Sequence, residues 1–239
     1  MIFKDQFRFF INTFLAFSFR HKFWDTYLSL LYMSLWRTTV IAFVIGAGMS
    51  FIVFHYSVNN PFGISLNQFL PYLFQNLLQA EFCSLLSLLI VTGDHYVKHA
   101  FIMYEASRDG EIDTLYVYKV NPLSIYVTPF LLSSVTLGVI TGIVYILSSF
   151  LGILFFISTT EVGFYLINIE KYFSLIDFDI LWFVFIKTTI FTYVGALVTS
   201  YYALISYERA KTFLIARMVF MVLITALAAD VLFSLLYRW

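Results

Sequence analysis

The stretch PFLLSSVTLGVITGIVYILSSFLGILFFI, residues 129–157, contains no charged side chain. As an α-helix it would be about 43 Å long, whereas the hydrocarbon core of a bilayer is about 30 Å thick. The stretch therefore predicts a membrane-spanning helix. Four further apolar stretches are long enough to span: Thr38–Tyr56, Leu66–Thr92, Asp179–Ile205 and Thr212–Tyr237.

The composition also indicates a protein that lies mainly in the membrane. Of 239 residues, 61% are hydrophobic and 12% are charged, whereas a soluble domain has about 25% charged residues. Fourteen basic and fourteen acidic side chains cancel, which excludes a general attraction to nucleic acid. We therefore predict an all-α polytopic membrane protein. Its five spans would occupy a single domain, residues 38–239.

The N-terminal segment has a different pattern from the spans. Residues 2–24 mix phenylalanines with Lys4, Arg8, Arg20 and Lys22, as in a helix that lies in the headgroup region. We predict an interfacial amphipathic helix and an elbow over residues 1–37. No apolar segment there resembles a cleavable signal peptide.

The basic residues predict the orientation. With five spans, two of the fourteen, Lys171 and Arg238, fall on one side and Lys187 falls inside a span. Eleven fall on the other side, which the positive-inside rule makes cytoplasmic together with the N-terminus. These are Lys4, Arg8, Arg20, Lys22, Arg37, Lys98, Arg108, Lys119, Arg209, Lys211 and Arg217. The acidic segment 161–177 then faces outward.

The sequence lacks the motifs of disulfide, metal and nucleotide-binding sites. The single cysteine, Cys83, excludes an internal disulfide and a cysteine-based metal site. His95 and His99, next to Asp94, are at positions i and i+4, the spacing of two metal ligands on one helix face. Histidines are common at the membrane surface without binding a metal, so we predict no metal. Because the chain has no glycine-rich phosphate loop, ATP and Mg²⁺ would have to bind a separate chain.

The segment EASRDGEIDTLYVYKVNP, residues 105–122, is a polar connection on the predicted cytoplasmic side. Ile112, Leu115, Tyr116 and Lys119 have the spacing of one face of a helix over about 105–120, which the Asn121-Pro122 pair would stop. Such a helix suits the groove of a soluble partner. An ordinary solvated loop helix fits the pattern about equally well.

Several motifs in order resemble the MlaE family of ABC-transporter permeases. Glu81 and Gly93, the run DGEIDTL at 109–115, and Val120 with Pro122 are similar to that family's Arg-Glu-Leu-Gly-Pro, Ala-Gly-Arg, Thr-Glu-Gln-Ile-Asp-Ala-Leu and Val-Asp-Pro. The resemblance extends over about residues 30–237. It also includes Gly48-Met49, Lys187, Arg217 and Asp230.

This sequence departs from the family pattern at its centre. The family's arginine before the glutamate is Ala80 here, its Gly-Pro is Cys83-Ser84, and its last Ala-Gly-Arg residue is Asp94. The usual glutamate before the coupling helix falls on Ile102, with Glu105 one turn later. The chain thus resembles a divergent member, or one half of a heterodimeric pair.

The resemblance implies the permease subunit of a phospholipid transporter. Its partners would be a second permease copy or paralogue, a cytoplasmic ABC ATPase dimer and an MCE-domain lipid-binding protein. The membrane would be a bacterial inner membrane or a plastid inner envelope. Lipid would pass Glu81, Gly48 and Met49. The ATPase would contact Glu105, Asp109, Glu111, Ile112, Asp113 and Leu115.

Two charged residues and two rival functions remain open. Lys187 and Asp230 fall within predicted spans as intramembrane polar support, either paired with each other or in separate interhelical contacts. An intramembrane lipid-modifying enzyme would use Glu81, Asp94 and the histidines as acid–base groups. A non-transporting scaffold subunit would need none of these groups.

Overall fold

The computed structural model describes residues 21–58, 81–159, 178–205 and 211–237, and the regular structure in these ranges is entirely helical. Seven α-helices and two π-helical segments follow one another in chain order. They are α1 His21–Val58, α2 Cys83–Val91, π1 Thr92–Tyr96, α3 Val97–Arg108, α4 Glu111–Val117, π2 Leu123–Val127, α5 Thr128–Thr159, α6 Phe178–Ile205 and α7 Lys211–Tyr237. The all-α fold is confirmed.

Four described helical stretches are long and apolar enough to cross a membrane: Phe23–Tyr56, Leu123–Thr159, Leu181–Leu204 and Ile215–Phe233. They contain the greater part of four of the five predicted spans. The fifth, Leu66–Thr92, lies partly outside the described residues, and its described part is helical from Glu81 onward. The predicted interfacial helix falls mainly on residues 1–20, and the acidic segment on 161–177, which are also outside the described ranges.

The first span is one long helix without a break at residue 37. Helix α1 has 38 residues, which corresponds to about 57 Å and exceeds the thickness of the hydrocarbon core. Residues 21–37, assigned from the sequence to the interfacial helix and elbow, continue directly into the span.

The chain divides into two units. Unit 1 comprises Met1–Trp36, Val91–Leu137 and Ile190–Trp239. Its described interior contains large buried side chains, including Tyr96, Phe130 and Phe191. The Tyr96 hydroxyl donates to the carbonyl of Thr192, so that π1 and α6 are joined inside the unit.

Unit 2 comprises Arg37–Ile90 and Gly138–Thr189, and small residues bring its helices together. A Cβ atom on Gly46 would clash with the Ser148 hydroxyl and lie 2.6 Å from the carbonyl oxygen of Tyr145. A Cβ on Gly152 would clash with the backbone of Ala47. These contacts require glycine because α1 and α5 approach with their backbones almost touching.

The segment predicted as one helix over about 105–120 is interrupted by a turn between two helices, α3 and α4, which together we call the hairpin. Helix α3 ends at Arg108, and Gly110 has φ of +75°. Glycine adopts this left-handed conformation at little cost, so the chain turns here and starts a new helix, α4. Glu105 therefore lies on α3, while Ile112 and Leu115 lie on α4.

The Asn121-Pro122 pair begins the next helix rather than stopping the previous one. Asn121 Oδ1 accepts a hydrogen bond from the Leu123 amide at 3.0 Å, and Pro122 precedes the first turn of π2. Asparagine as a cap and proline at a helix start are both favoured. Helix α4 ends earlier, where Lys119 adopts φ of +57°. The Val120 amide bonds to Leu115 and the Lys119 amide to Tyr116 there, as in a Schellman motif.

Candidate functional site

A buried ion pair lies inside unit 2. Lys187 Nζ on α6 donates to Glu81 Oε2 at 2.7 Å. The side chain of Lys187 is 1% exposed, whereas that of Glu81 is 43% exposed. An ammonium group buried among apolar helices is costly unless an anion compensates it. The pair therefore neutralises Lys187 while one side of the Glu81 carboxyl remains accessible.

Other polar groups of unit 2 surround the chain segment that carries Glu81. Cys83 Sγ donates to the Gly142 carbonyl at 3.5 Å, and the Ser84 hydroxyl donates to the Glu81 carbonyl at 3.4 Å. Cys83, Ser84, Ser87 and Tyr145 are fully buried. Glu81 thus stands at the accessible edge of a polar patch inside the membrane segments.

The hairpin of α3 and α4 presents a second candidate surface. Glu111 and Asp113 occupy the first turn of α4, where carboxylates are favoured by the partial positive charge of the helix start. Glu111 Oε2 also accepts a hydrogen bond from the Tyr126 hydroxyl at 2.8 Å. The acidic residues of α4 therefore stabilise the hairpin besides giving it negative charge.

The end of α4 exposes a short apolar surface. Tyr116, Val117 and Tyr118 are 64%, 79% and 74% exposed. Beside them, Leu115 lines a shallow cleft together with Thr114, Ile125 and Tyr126. An acidic helix start followed by an uncovered aromatic and aliphatic end suits contact with another protein.

Unit 1 contains a buried histidine layer, formed by His95 and His99. Nδ1 of His95 lies 3.3 Å from Ser34 Oγ, and Nε2 lies 3.0 Å from Ser133 Oγ. His99 stacks on Phe130 with 3.6 Å between ring centroids and a 10° interplanar angle. Burial lowers the pKa of His95 to about 3 because it disfavours the imidazolium form.

The histidine layer and Asp94 have local partners. Asp94 accepts a hydrogen bond from Lys98 at 2.7 Å, and Lys98 also donates to the Met33 carbonyl. Within the described ranges, no three His, Cys, Asp or Glu side chains are grouped so as to hold a metal ion. The two histidines thus pack as neutral interior rings.

The profile of the family described as Permease MlaE matches residues 23–236, which is nearly the whole chain. The chain belongs to the MlaE permease family. No curated protein matches it. Membership makes the chain an integral-membrane permease of the ABC-transporter type and favours a transport subunit over an enzyme.

The structure places the predicted lipid-path residues of this permease in two surroundings. Glu81 meets Lys187, as described above. Met49 packs against a buried cluster that includes Phe54 and Phe156, whereas a Cβ atom on Gly48 would contact nothing within 4 Å. The described contacts do not join these two places. Of the two glycines in α1, Gly46 rather than Gly48 makes the close helix approach.

The predicted coupling residues differ in exposure. Ile112 is buried and Leu115 is half-buried, whereas Glu105, Asp109, Glu111 and Asp113 are exposed. Asp109 accepts a hydrogen bond from Arg108 Nε at 3.0 Å. Ile112 therefore anchors the hairpin of the permease, and the exposed residues are the ones available to a partner. Asp230 is half-buried on α7, and its pairing with Lys187 stays a prediction.

Sequence reasoning missed three features of this permease. It did not connect Glu81 with Lys187, because the two residues are 106 positions apart. It did not single out Val117 and Tyr118. The predicted face assumed one long helix over about 105–120, whereas these residues lie at the end of the seven-residue helix α4, where different side chains share a face. It also missed that π1 and π2 flank the hairpin, although π-helical turns are frequent at functional sites.

Proposed function

We propose that this permease is the membrane subunit of an ABC-type phospholipid transporter that moves lipids between an inner membrane and an outer envelope. The observation that carries the proposal is the Glu81–Lys187 pair. A neutralised lysine and a 43% exposed carboxyl inside membrane helices form a polar place that a lipid headgroup can contact without meeting net charge.

The proposed assembly contains two permease chains and two cytoplasmic ATPase subunits that bind ATP and Mg²⁺. The second permease chain is an identical copy or a paralogue. An MCE-domain lipid-binding protein would hold the cargo on the outer side. The family match and the basic segments support this arrangement, with the N-terminus cytoplasmic in a bacterial inner membrane or a plastid inner envelope.

In this mechanism, the hairpin transmits movement of the ATPases. The exposed end of α4 would enter a groove of the ATPase, and the acidic residues at its start would contact basic groups around that groove. Closure of the ATPases would displace the hairpin, and π1 and π2 would pass the displacement to the membrane helices. Lipid would then move along Glu81, Gly48 and Met49.

The lipid path is tested by neutralising Glu81 in the reconstituted transporter. We expect Glu81→Gln and Glu81→Ala to reduce the transfer of fluorescent phospholipid between vesicles while the complex still assembles. The matched control is Asp94→Asn, which neutralises an acid that is paired at the same 2.7 Å distance outside the proposed path. Normal transfer by assembled Glu81→Ala complexes would refute the lipid path.

The docking surface is tested by co-purification with the ATPase. We expect Val117→Asp and Asp113→Lys to abolish the complex, because Val117 is 79% exposed and Asp113 is exposed. Val117→Asp would place a charge against the apolar part of the groove, and Asp113→Lys would place a positive charge against its basic groups. Leu115→Asp and charge reversal at Asp109 should act in the same direction. Val117→Thr is the control, since it keeps the shape of the side chain. A stoichiometric complex with Val117→Asp would contradict the docking role.

The two rival functions predict different results. A lipid-modifying enzyme would convert phospholipid when the purified permease is incubated alone, without ATP or a partner. A scaffold subunit would assemble with its partners but would support no ATP-dependent transfer. Measuring lipid products and lipid transfer on the same preparations separates these outcomes.

A further inference from the structure

An apolar groove runs along α5 and α6 within unit 2. Its walls come from residues 139–147 of α5 and 181–188 of α6, and its volume is about 310 Å³. The polar groups of the lining side chains are the Thr188 hydroxyl and the Trp182 indole N–H. Both walls belong to stretches long and apolar enough to span a membrane. The groove therefore opens towards hydrocarbon rather than water.

The size of the groove fits a single hydrocarbon chain. Its wall on α5 is about 12 Å long at the helical rise per residue, and its volume is about 310 Å³. A hydrocarbon tail is the narrowest component of the membrane, and it can follow a groove of this length.

One end of the groove lies near a charged residue at the start of α6. Trp182 is three positions after Asp179, which precedes the apolar run 180–186. Trp182 is 64% exposed and stacks on Phe185 with a 6° interplanar angle. Tryptophan is enriched at the level of the lipid headgroups. A molecule lying in the groove with its polar end beside Trp182 would have its headgroup at the interface and its tail along α5.

We propose that this groove binds one acyl chain of a bilayer phospholipid. The lining offers almost no polar partner, so it selects a hydrocarbon tail and not a headgroup. The groove is formed by residues other than Glu81, Gly48 and Met49, and its occupancy goes beyond the proposed transport function. The site holds its lipid whether or not the permease carries phospholipid as cargo.

The test uses Trp182 as a reporter of the acyl chain. The full chain is prepared with Trp24→Phe, Trp36→Phe and Trp239→Phe, so that Trp182 is its single tryptophan, and a phosphatidylcholine with dibrominated acyl chains is titrated into the detergent-solubilised protein. We expect the quenching of Trp182 fluorescence to saturate at about one brominated lipid per chain. A second preparation that keeps only Trp36, which is 77% exposed and outside the groove, reports contact with bulk lipid.

A matched pair of substitutions separates the groove from the rest of the surface. Ile143 and Leu151 both lie on α5 and are each 49% exposed, but only Ile143 lines the groove. We expect Ile143→Phe to fill the groove and remove the saturable quenching, and Leu151→Phe to leave it unchanged. Circular dichroism before the titration verifies that both variants keep their helix content.

Each other outcome overturns the proposal. Quenching that rises in proportion to the brominated fraction, equally for Trp182 and Trp36, would mean that only bulk lipid contacts the groove. Saturable quenching that Ile143→Phe leaves intact would place the lipid elsewhere. Protection of Trp182 from quenching, together with disulfide cross-linking between chains of an Ile143→Cys variant, would mean that a second protein chain covers this surface.

Discussion

The permease buries polar side chains in two contrasting ways. In unit 2, Glu81 and Lys187 retain opposite charges at 2.7 Å, and the carboxyl is partly accessible. In unit 1, His95 is hydrogen-bonded to two serines and His99 stacks on a phenylalanine. The neutral rings are enclosed by their neighbours, whereas the charged pair keeps one side of its carboxyl accessible.

The largest expected effect is that of breaking the ion pair. Because Lys187 is almost completely buried, Glu81→Gln removes the carboxylate that accepts its hydrogen bond and should lower the free energy of unfolding by roughly 3 kcal/mol, the lower end of the range for a buried pair. Lys187→Met should cost less, since Glu81 is partly exposed. Thermal unfolding in detergent measures both.

The double variant Glu81→Gln, Lys187→Met sharpens this result. It removes both charges, so it should be more stable than Glu81→Gln alone. A double variant that unfolds at the same temperature as the worse single variant would mean that the two side chains do not act as a pair.

An intermediate loss of folding stability is expected when the pH is lowered, because the histidine layer is buried. The folded pKa of His95 is about 3, below the unfolded value of about 6.5, so the unfolded chain binds a proton that the folded chain rejects. Stability is thus full above about pH 6.5 and is lost as the pH falls towards the folded pKa. At pH 5 the loss from His95 alone is about 2 kcal/mol.

His99→Phe tests the neutral-ring interpretation. Burial also lowers the pKa of His99, and phenylalanine keeps the stack on Phe130 without a titratable group. We expect normal stability near pH 7.5 and a smaller loss of melting temperature on going to pH 5. The control is His55→Phe, because His55 also stacks on a phenylalanine, Phe51, but is exposed. Equal changes in acid sensitivity for the two variants would contradict the special role of burial.

The smallest effect is expected for a second ion pair with the same distance. Lys98 and Asp94 also lie 2.7 Å apart, but they are only four positions apart in the chain and their side chains are 26% and 13% exposed. Asp94→Asn should cost only about 0.5 kcal/mol, as is usual for accessible pairs at i and i+4. A loss as large as that of Glu81→Gln would show that the separation of the charges, and not their burial, sets the energy.

The positions of the spans were predictable because hydrophobicity is a local property. Asp179–Ile205 and Thr212–Tyr237 are described as helix over their whole length, within α6 and α7. The hairpin was not predictable in the same way. The left-handed turns at Gly110 and Lys119 depend on a few hydrogen bonds, and they change which side chains share a face.

In the candidate site too, single residues were predictable from the sequence and their contacts were not. Glu81 and Lys187 stood out individually in the sequence, because charged residues within apolar stretches are rare and costly. Their pairing joins α6 to residues more than a hundred positions earlier, and a single sequence carries no periodic signal over such a separation. The exposure of Val117 and the groove beside Trp182 likewise depend on which neighbours the fold brings close.

The sequence by itself determined that this protein is a helical membrane permease, since the exclusion of charge from long stretches and the order of the family motifs are written along the chain. Only the tertiary structure decided that Lys187 is compensated by Glu81, that Gly46 rather than Gly48 admits a neighbouring backbone, and that the coupling segment is a hairpin. The physical reason is distance. Partition into lipid depends on each segment's own side chains, whereas ion pairs, close packing and grooves depend on segments that meet only after folding.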